Sequence, residues 1–254
     1  MAEVEFRVDG HVAVMTINRP QARNAMNMTV VHGLVDGYAE IARNPDIRIG
    51  ILTGAGGHFC AGMDLKGFAE SGERIDTSGL PFGRAASPLM TKPMIAAIEG
   101  YAVAGGFELA LTCDLIVASR TAKMGLPEAK RGLVAAGGGM VKMARQAPMR
   151  AAMEMVLTGD PMEAEQLHAW GVVNRLTEPG GALAEALALA ERIAENSPLA
   201  LRVSMQVVRG AQDWPPSQAM DLQNELTAPV FASDDPLEGA KAFAEKRKPR
   251  WTTS

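Results

Sequence analysis

The sequence lacks the cysteine content and the ligand spacing that mark disulfide-stapled or metal-binding proteins. It has two cysteines, Cys60 and Cys113, in 254 residues, which is too few for a disulfide framework. Its four histidines are scattered along the chain and show no spacing typical of metal ligands. We therefore expect no metal site, and we interpret both cysteines as small buried hydrophobic residues.

Long apolar runs and an excess of positive charge are also missing. No apolar run approaches the length of a membrane span. The net charge of −4 argues against a general nucleic-acid-binding protein, although it permits a local basic patch that binds an anion. The segment 1–6 carries acidic residues instead of the basic start of a signal peptide. Together these features predict a soluble cytoplasmic protein.

The residues that are present predict an α/β core followed by helices. Hydrophobic residues make up 47% of the chain and charged residues 21%, which is enough for a full core. Up to residue 176 the pattern is strand, strand, helix, repeated, and it begins with a hairpin around Asp9-Gly10. Beyond residue 176 only helical patterns follow. We expect a core over 1–195 and a helical region over 196–254.

Periodicity and turn residues give the approximate element bounds. The first helix is expected to be capped by Asn27, and residues 67–88 are expected to form a mobile loop with one helical turn. The predicted strands are 4–8, 11–17, 48–53, 94–98, 115–118, 123–126 and 172–176. The predicted helices are 27–43, from 105 onward, 147–158, 162–170, 181–196, 198–211 and 236–246.

The segment 93–110 is the most informative part of the chain. An apolar strand ends in small residues, a glycine pair follows, and a helical pattern opens with Glu108 in its first turn. Bare N–H groups at a helix N-terminus attract negative charge. Such donors beside a titratable carboxyl are what an enzyme needs to form an enolate. Taken alone, both Glu108 and Glu128 could equally be ordinary acids at helix starts.

Several motifs in order along the chain resemble the crotonase (enoyl-CoA hydratase/isomerase) superfamily. They are Asn18-Arg19-Pro20 with Asn24-Ala25, the stretch 59–65 (Phe-Cys-Ala-Gly-Met-Asp-Leu), the stretch 93–118, Gly125-Leu126-Pro127-Glu128, and the ending 238–247. The resemblance implies a spiral of ββα repeats with a helical C-terminal region. It also implies that residues 196–254 serve trimerisation, in a homotrimer or a dimer of trimers.

The resemblance also implies a reaction. The substrate would be an acyl-CoA thioester, and the reaction the reversible addition of water across the 2,3 double bond of a 2-enoyl-CoA, as in fatty acid β-oxidation. Glu108 would activate the water and Glu128 would deliver a proton to the α-carbon. The backbone N–H groups of Met63 and Gly105 would form an oxyanion hole. No separate cofactor is expected, because coenzyme A is part of the substrate.

Six further positions match CoA-binding positions of the family: Arg23, Ala61, Asp64, Leu65, Lys66 and Lys246. A lysine that the family often has before Phe59 is missing here, so Arg23 or Lys66 is expected to meet the CoA phosphates instead. Both could equally be solvated surface charges. We expect the loop 67–88 and the Met63 side chain to set the acyl chain length.

Two departures and three alternatives accompany this prediction. Ala104 stands where the family often has glycine, and we expect it only to tighten the turn. Ala135-Ala136 stand where hydratases usually carry Pro-Gly. A carnitinyl-CoA-like dehydratase would share the glutamate pair, and a Δ3-Δ2-enoyl-CoA isomerase would need one acid/base. A non-catalytic or RNA-binding homologue is the alternative outside enzymes.

Overall fold

The computed structural model describes residues 2–72, 75–82 and 90–252. Its strands are β1 (Val4–Asp9), β2 (Val12–Ile17), β3 (Ile49–Gly54), β4 (Met94–Ile98), β5 (Tyr101–Val103), β6 (Leu115–Ser119), β7 (Lys123–Gly125), β8 (Met162–Glu163) and β9 (Arg175–Thr177). Its helices are α1 (Met28–Arg43), α2 (Leu65–Ser71), α3 (Gly105–Thr112), α4 (Gly139–Gln146), α5 (Met149–Thr158), α6 (Ala164–Ala169), α7 (Ala182–Ala194), α8 (Pro198–Gly210), α9 (Ala219–Phe231) and α10 (Asp235–Glu245).

The strands form two sheets, and β4 to β7 alternate between them. The larger sheet has the order β1-β2-β3-β4-β6-β9, antiparallel between β1 and β2 and parallel elsewhere. The smaller sheet has the order β5-β7-β8. Thus β4 and β5 lie in different sheets and are followed by α3, and β6 and β7 repeat the arrangement. The predicted α/β class with a helical C-terminal region is confirmed.

Local sequence signals place the first elements well. In α1, the Asn27 side chain accepts a hydrogen bond of 2.9 Å from the Val30 amide, so the predicted cap is confirmed. The β1–β2 hairpin is also confirmed, but its two-residue turn is Gly10-His11, one residue later than predicted. Asp9 pairs with Val12 across the turn, and Gly10 takes a φ of +55° that glycine tolerates.

Several predicted bounds were wrong. The helix predicted from residue 147 begins at Met149, because Pro148 precedes it as its N-cap. The helix predicted from residue 162 begins at Ala164, because Met162 pairs with Met124 in the smaller sheet. In the predicted loop 67–88, α2 already begins at Leu65, and residues 73–74 and 83–89 lie outside the described residues.

Two helices were not predicted at all. The first, α4, starts within the glycine run 137–139, and such a run is typical of a turn. The second, α9, has Pro229 inside it, and none of its residues is fully buried. A glycine run and an internal proline both argue against a helix, so neither helix was predicted although α4 itself is strongly amphipathic.

Hydrophobic layers cover both faces of the larger sheet. Strand residues alternate between faces, so Met15 and Leu52 belong to the cluster with Leu34 of α1. Ile51 and Ile95 point the other way and belong to the cluster with α7. The smaller sheet and α3 lie on the α1 side, so the first cluster also forms the base of the site described below.

Several polar contacts tie the C-terminal helices to the core. Arg209 of α8 pairs with Asp114 and donates to the Met90 carbonyl at 2.7 Å. The Trp251 indole N–H donates to the Glu195 carbonyl at 2.7 Å. The predicted boundary between 195 and 196 falls between α7 and α8 and stays a prediction. Among the described helices, none is both long and apolar enough to cross a membrane.

Candidate active site

Six of the predicted site residues line one cavity of about 420 Å³: Ala61, Met63, Leu65, Gly105, Glu108 and Glu128. Much of the remaining wall is apolar: Met26, Ile75, Phe82, Val103, Leu133 and Val134. Met63 is among the lining residues, and the influence of its side chain on the acyl chain length stays a prediction. A mostly apolar cavity with a few converging polar groups is typical of a small-molecule site.

The pairing of β5 with β7 brings the two glutamates together. These strands run parallel, with Val103 opposite Gly125. Glu108 follows β5 in the first turn of α3, and Glu128 follows β7 in a single 3-10 turn, Glu128–Arg131. Since parallel strands end at the same edge, residues 20 apart in sequence reach one cavity.

Two backbone N–H groups at the cavity are free to donate hydrogen bonds to a ligand. The N–H of Gly105 lies in the first turn of α3, where no intrahelical partner exists. Within the described residues, neither it nor the N–H of Met63 donates to another group. A Cβ placed on Gly62 would lie 3.2 Å from the Gly105 nitrogen, so the turn before Met63 packs directly on the start of α3.

Ala104 adopts a backbone conformation that glycine prefers. Its φ is +53° and its ψ is −134°, a combination that costs alanine on the order of 1–3 kcal/mol. Hydrogen bonds hold it from both sides: its N–H donates to the Gly125 carbonyl at 2.9 Å, and its carbonyl accepts from Phe107 and Glu108. The alanine therefore places strain in the turn, beyond the tightening that we expected.

Glu108 is buried and is held by the start of α4. Its Oε1 accepts a hydrogen bond of 2.9 Å from the Gly139 amide. A Cβ on Gly139 would lie 2.9 Å from the Glu108 Cγ, so the contact needs a glycine. Burial raises the pKa of Glu108, whereas hydrogen bonds from Gly139 and Gly137 and the charge of Lys142 lower it. Burial is the largest of these effects, so the pKa of Glu108 lies above its ordinary value, and the donors limit the rise.

Glu128 is buried with fewer compensating contacts. Its Oε2 has no hydrogen-bond partner in the part of the chain that is described. Burial, with a smaller contribution from the charge of Glu108, raises the pKa of Glu128 to about 7. Near neutral pH the pair can therefore hold one carboxylate and one protonated carboxyl, which are a general base and a general acid.

The other predicted CoA contacts do not line this cavity. Arg23 is exposed with its guanidinium carbon 6.0 Å from the centre of the Tyr101 ring, and its carbonyl accepts from Ala61 at 3.1 Å. Lys66 is exposed on α2, and Lys246 is exposed as the C-cap of α10. Their contacts with CoA stay predictions.

Asp64 has a structural role that the sequence did not reveal. Its Oδ1 caps α2 through the Gly67 amide at 3.2 Å, and its Oδ2 pairs with Arg19 at 3.1 Å. The Arg19 side chain also donates to the Ala25 carbonyl at 2.6 Å. Arg19 thus joins two of the motifs that carry the family resemblance, by a contact between residues 45 apart.

The cysteines and histidines offer no alternative chemistry in the described residues. No group of three or more His, Cys, Asp or Glu side chains there could hold a metal ion. Cys60 and Cys113 are free and buried, as predicted, and burial raises the pKa of each thiol to about 12. Thiols of this kind are poor nucleophiles at neutral pH.

A family model described as enoyl-CoA hydratase/isomerase matches residues 7–254. The chain belongs to this family. Enoyl-CoA hydratase EchA19 of Mycobacterium tuberculosis is 39% identical, over 99% of both chains. (E)-Benzylidenesuccinyl-CoA hydratase of Thauera aromatica is 38% identical, over 97% of both chains.

A solved structure of the family matches the whole fold. The crystal structure of enoyl-CoA hydratase EchA1 from Mycobacterium marinum aligns with a TM-score of 0.93 at 47% identity, covering 100% of both chains. The predicted crotonase-type fold and the family resemblance are confirmed. Motifs that were individually modest predicted the family because they occurred together and in order.

Proposed function

We propose that this member of the enoyl-CoA hydratase/isomerase family is an enoyl-CoA hydratase that adds water reversibly across the 2,3 double bond of a 2-enoyl-CoA. The observation that carries the proposal is the pair of buried carboxyls, Glu108 and Glu128, in one cavity: burial raises the pKa of both, the Gly139 amide donates to Glu108, and Oε2 of Glu128 has no partner among the described residues. An isomerase needs one acid/base, and a non-catalytic or RNA-binding homologue needs neither. Hydration needs both.

In the proposed mechanism the thioester oxygen accepts hydrogen bonds from the Met63 and Gly105 amides. Glu108 takes a proton from water as the oxygen attacks the β-carbon, and the electron pair of the double bond moves toward the thioester to form an enolate. The two amides and the positive end of α3 stabilise the developing charge. Glu128 then protonates the α-carbon.

Elimination of water from a 3-hydroxyacyl-CoA follows the same path backwards, with the protonation states of Glu108 and Glu128 exchanged. A dehydratase such as a carnitinyl-CoA dehydratase would therefore use the same groups. The relatives named above include a hydratase of a benzylidenesuccinyl-CoA, which supports a CoA thioester as the substrate here. We propose that no cofactor is needed besides the CoA carried by the substrate.

We propose that CoA is held along the surface outside the cavity. Ala61, Asp64 and Leu65 would contact it where it leaves the cavity. Arg23, Lys66 and Lys246 would meet its phosphates, because cations bind phosphates mainly through charge. None of these three cations forms an ion pair within the described residues. A cytoplasmic location stays a prediction.

We also propose that the chain forms a homotrimer or a dimer of trimers. Met149, Met153 and Leu157 of α5 follow each other at four-residue spacing and are 58%, 52% and 75% exposed, so they form one apolar stripe on the surface. In the C-terminal helices Phe231 and Phe243 are 77% and 88% exposed. Exposed apolar surface of this kind is typical of an interface.

The function is tested with a panel of 2-enoyl-CoA esters that differ in chain length and branching. We expect loss of the conjugated double bond and gain of one water by mass for at least one ester. The matched control is the Glu108→Gln/Glu128→Gln double variant. Turnover of 3-enoyl-CoA without hydration would favour the isomerase instead. Salt-dependent RNA binding without any turnover would favour the non-catalytic homologue.

A further inference from the structure

Two parallel contacts join α3 to α4 next to the catalytic carboxyl. The Gly139 amide donates to Glu108 Oε1 at 2.9 Å, and the Lys142 ammonium donates to the Leu111 carbonyl at 2.5 Å. Residues 108 and 111 lie one turn apart on α3, and residues 139 and 142 lie one turn apart on α4. The two hydrogen bonds therefore join one turn of each helix at two points.

The start of α4 has little else to fix it. Its N-cap is Gly138, with a φ of +93° and no side chain to cap the helix, and Gly137 and Gly139 flank it. Glycines cannot anchor a helix start through side chains, and they leave its backbone conformationally free. The half-buried Lys142 side chain links this turn to α3 through its hydrogen bond to the Leu111 carbonyl.

The charge of Lys142 is available because neighbouring charges are already paired. The charged or titratable groups that face it are Glu108 of α3, Cys113 and Asp114 after α3, and Arg209 of α8. Asp114 pairs with Arg209 at 2.5 Å, and Cys113 is a neutral thiol. Lys142 instead caps the C-terminal end of α3, where the helix dipole favours a cation.

We propose that Lys142 is a positioning residue for Glu108: by tying α4 to the end of α3, it holds the Gly139 amide against the Glu108 carboxylate. The inference rests on the proposed hydratase function, in which Glu108 acts as the base. Losing the tie lets the glycine-rich start of α4 move away, and Glu108 then loses a donor that stabilises its ionised form.

The sign of the pH effect follows from the groups around Glu108. Burial and the facing carboxyl of Glu128 oppose its ionisation, while the Gly137 and Gly139 amides and the charge of Lys142 favour it. Removing Lys142 takes away its charge and loosens the amides, so the pKa of Glu108 rises. Hydration needs Glu108 ionised, and its acid limb therefore moves to higher pH.

The test compares Lys142→Met, Lys142→Gln and Lys142→Arg with wild type on crotonyl-CoA, a 2-enoyl-CoA. We expect Met and Gln to lower kcat roughly 10- to 100-fold, the range for a misplaced catalytic group, with KM within about twofold and the acid limb of kcat raised by about half a pH unit or more. Arginine should restore most of the activity. Arg145→Met, one turn further along α4, should behave like wild type.

Hydrogen exchange of the segment 137–143 gives a readout that is independent of catalysis. We expect faster exchange of the Gly139 amide in the Met and Gln variants but not in Arg145→Met. Unchanged exchange, or an unchanged acid limb with only a lower melting temperature, would overturn the role of Lys142. If wild type hydrates no enoyl-CoA, the proposed function fails, and the exchange experiment still decides whether Lys142 holds α4.

Discussion

The two sides of the larger sheet differ in how regular their backbone is and in the polar groups that they bury. On the α7 side, Ala182, Ala186 and Ala190 are fully buried against apolar strand residues, in regular helical conformation. On the cavity side, Ala104 is strained and Glu128 leaves a buried oxygen without a partner among the described residues. Strained residues persist only where many surrounding contacts hold them in place. Both sides have a hydrophobic cluster, and this strain and this buried oxygen lie on the cavity side.

The largest expected effect is a loss of catalysis without a loss of folding, at the two glutamates of the cavity. Glu108→Gln and Glu128→Gln should each lower kcat by roughly 10²–10⁴, the range for removing a general acid or base. Both variants should still fold and bind an acyl-CoA, because glutamine keeps the shape of the side chain. Steady-state kinetics with circular dichroism checks this. Near-full hydration by either variant would remove that carboxyl from the mechanism.

A change in the α7 layer should lower the stability of the fold and leave kcat unchanged. Ala186→Leu adds three carbons at a fully buried position and should destabilise the fold by about 3 kcal/mol through overpacking. Chemical denaturation would show the loss, while kcat per folded molecule should stay at the wild-type value. If kcat fell with stability, the two sides of the sheet would not be as separate as their packing indicates.

The stability of the cavity side should depend on pH through Glu128. Its pKa of about 7 lies above the ordinary value of 4.5, so the folded state binds the proton more tightly than the unfolded state does. Wild type therefore loses stability as pH rises from about 4.5 to about 7. Glu128→Gln lacks this loss and should be more stable than wild type at pH 8, by about 2 kcal/mol.

Thermal unfolding at two pH values measures this difference. For a chain of this size, about 2 kcal/mol corresponds to a rise in melting temperature of roughly 4–8 °C at pH 8, and at pH 5 the two proteins should melt within about 2 °C of each other. Glu108→Gln is the matched comparison, because both Glu108 oxygens can accept amide hydrogen bonds, whereas glutamine keeps only one accepting oxygen. An equal gain at both pH values would rule out titration of Glu128 as the cause.

The smallest expected effect lies outside both layers, at Lys246. Lys246→Glu should raise KM for an acyl-CoA about 3- to 10-fold with little change in kcat, because phosphate contacts are equal in the ground and transition states. The rise should shrink at high salt, which screens exposed charges. Lys241→Glu on the same helix is the control. Equal effects of the two changes would indicate general charge repulsion.

The sequence predicted the parts of the site that are local. A strand, a glycine pair and a helix with Glu108 in its first turn follow each other within 18 residues, so periodicity alone marks them. The cap at Asn27 is equally local. The meeting of Glu108 with Glu128 depends on β5 pairing with β7, which no local pattern predicts, and it was expected only from the family resemblance.

Contacts over a long sequence separation account for what was missed. The Gly139 amide that holds Glu108 belongs to α4, and the start of this helix lies in a glycine run that is typical of a turn. Asp64 matched a CoA-binding position, but its pairing with Arg19 is visible only in the fold. In each case a polar contact between distant segments decides the role of the residue, and a single sequence does not encode such pairings locally.

Ala104 has a further consequence for how the turn before Gly105 behaves over time. An alanine gives the unfolded chain fewer conformations than a glycine would, which opposes the strain that it carries in the folded state. It also limits the conformations of the turn, because a Cβ excludes backbone φ and ψ combinations that glycine can adopt. The Gly105 amide that follows it should therefore stay aimed at the cavity between turnovers, with little reorganisation before the next substrate binds.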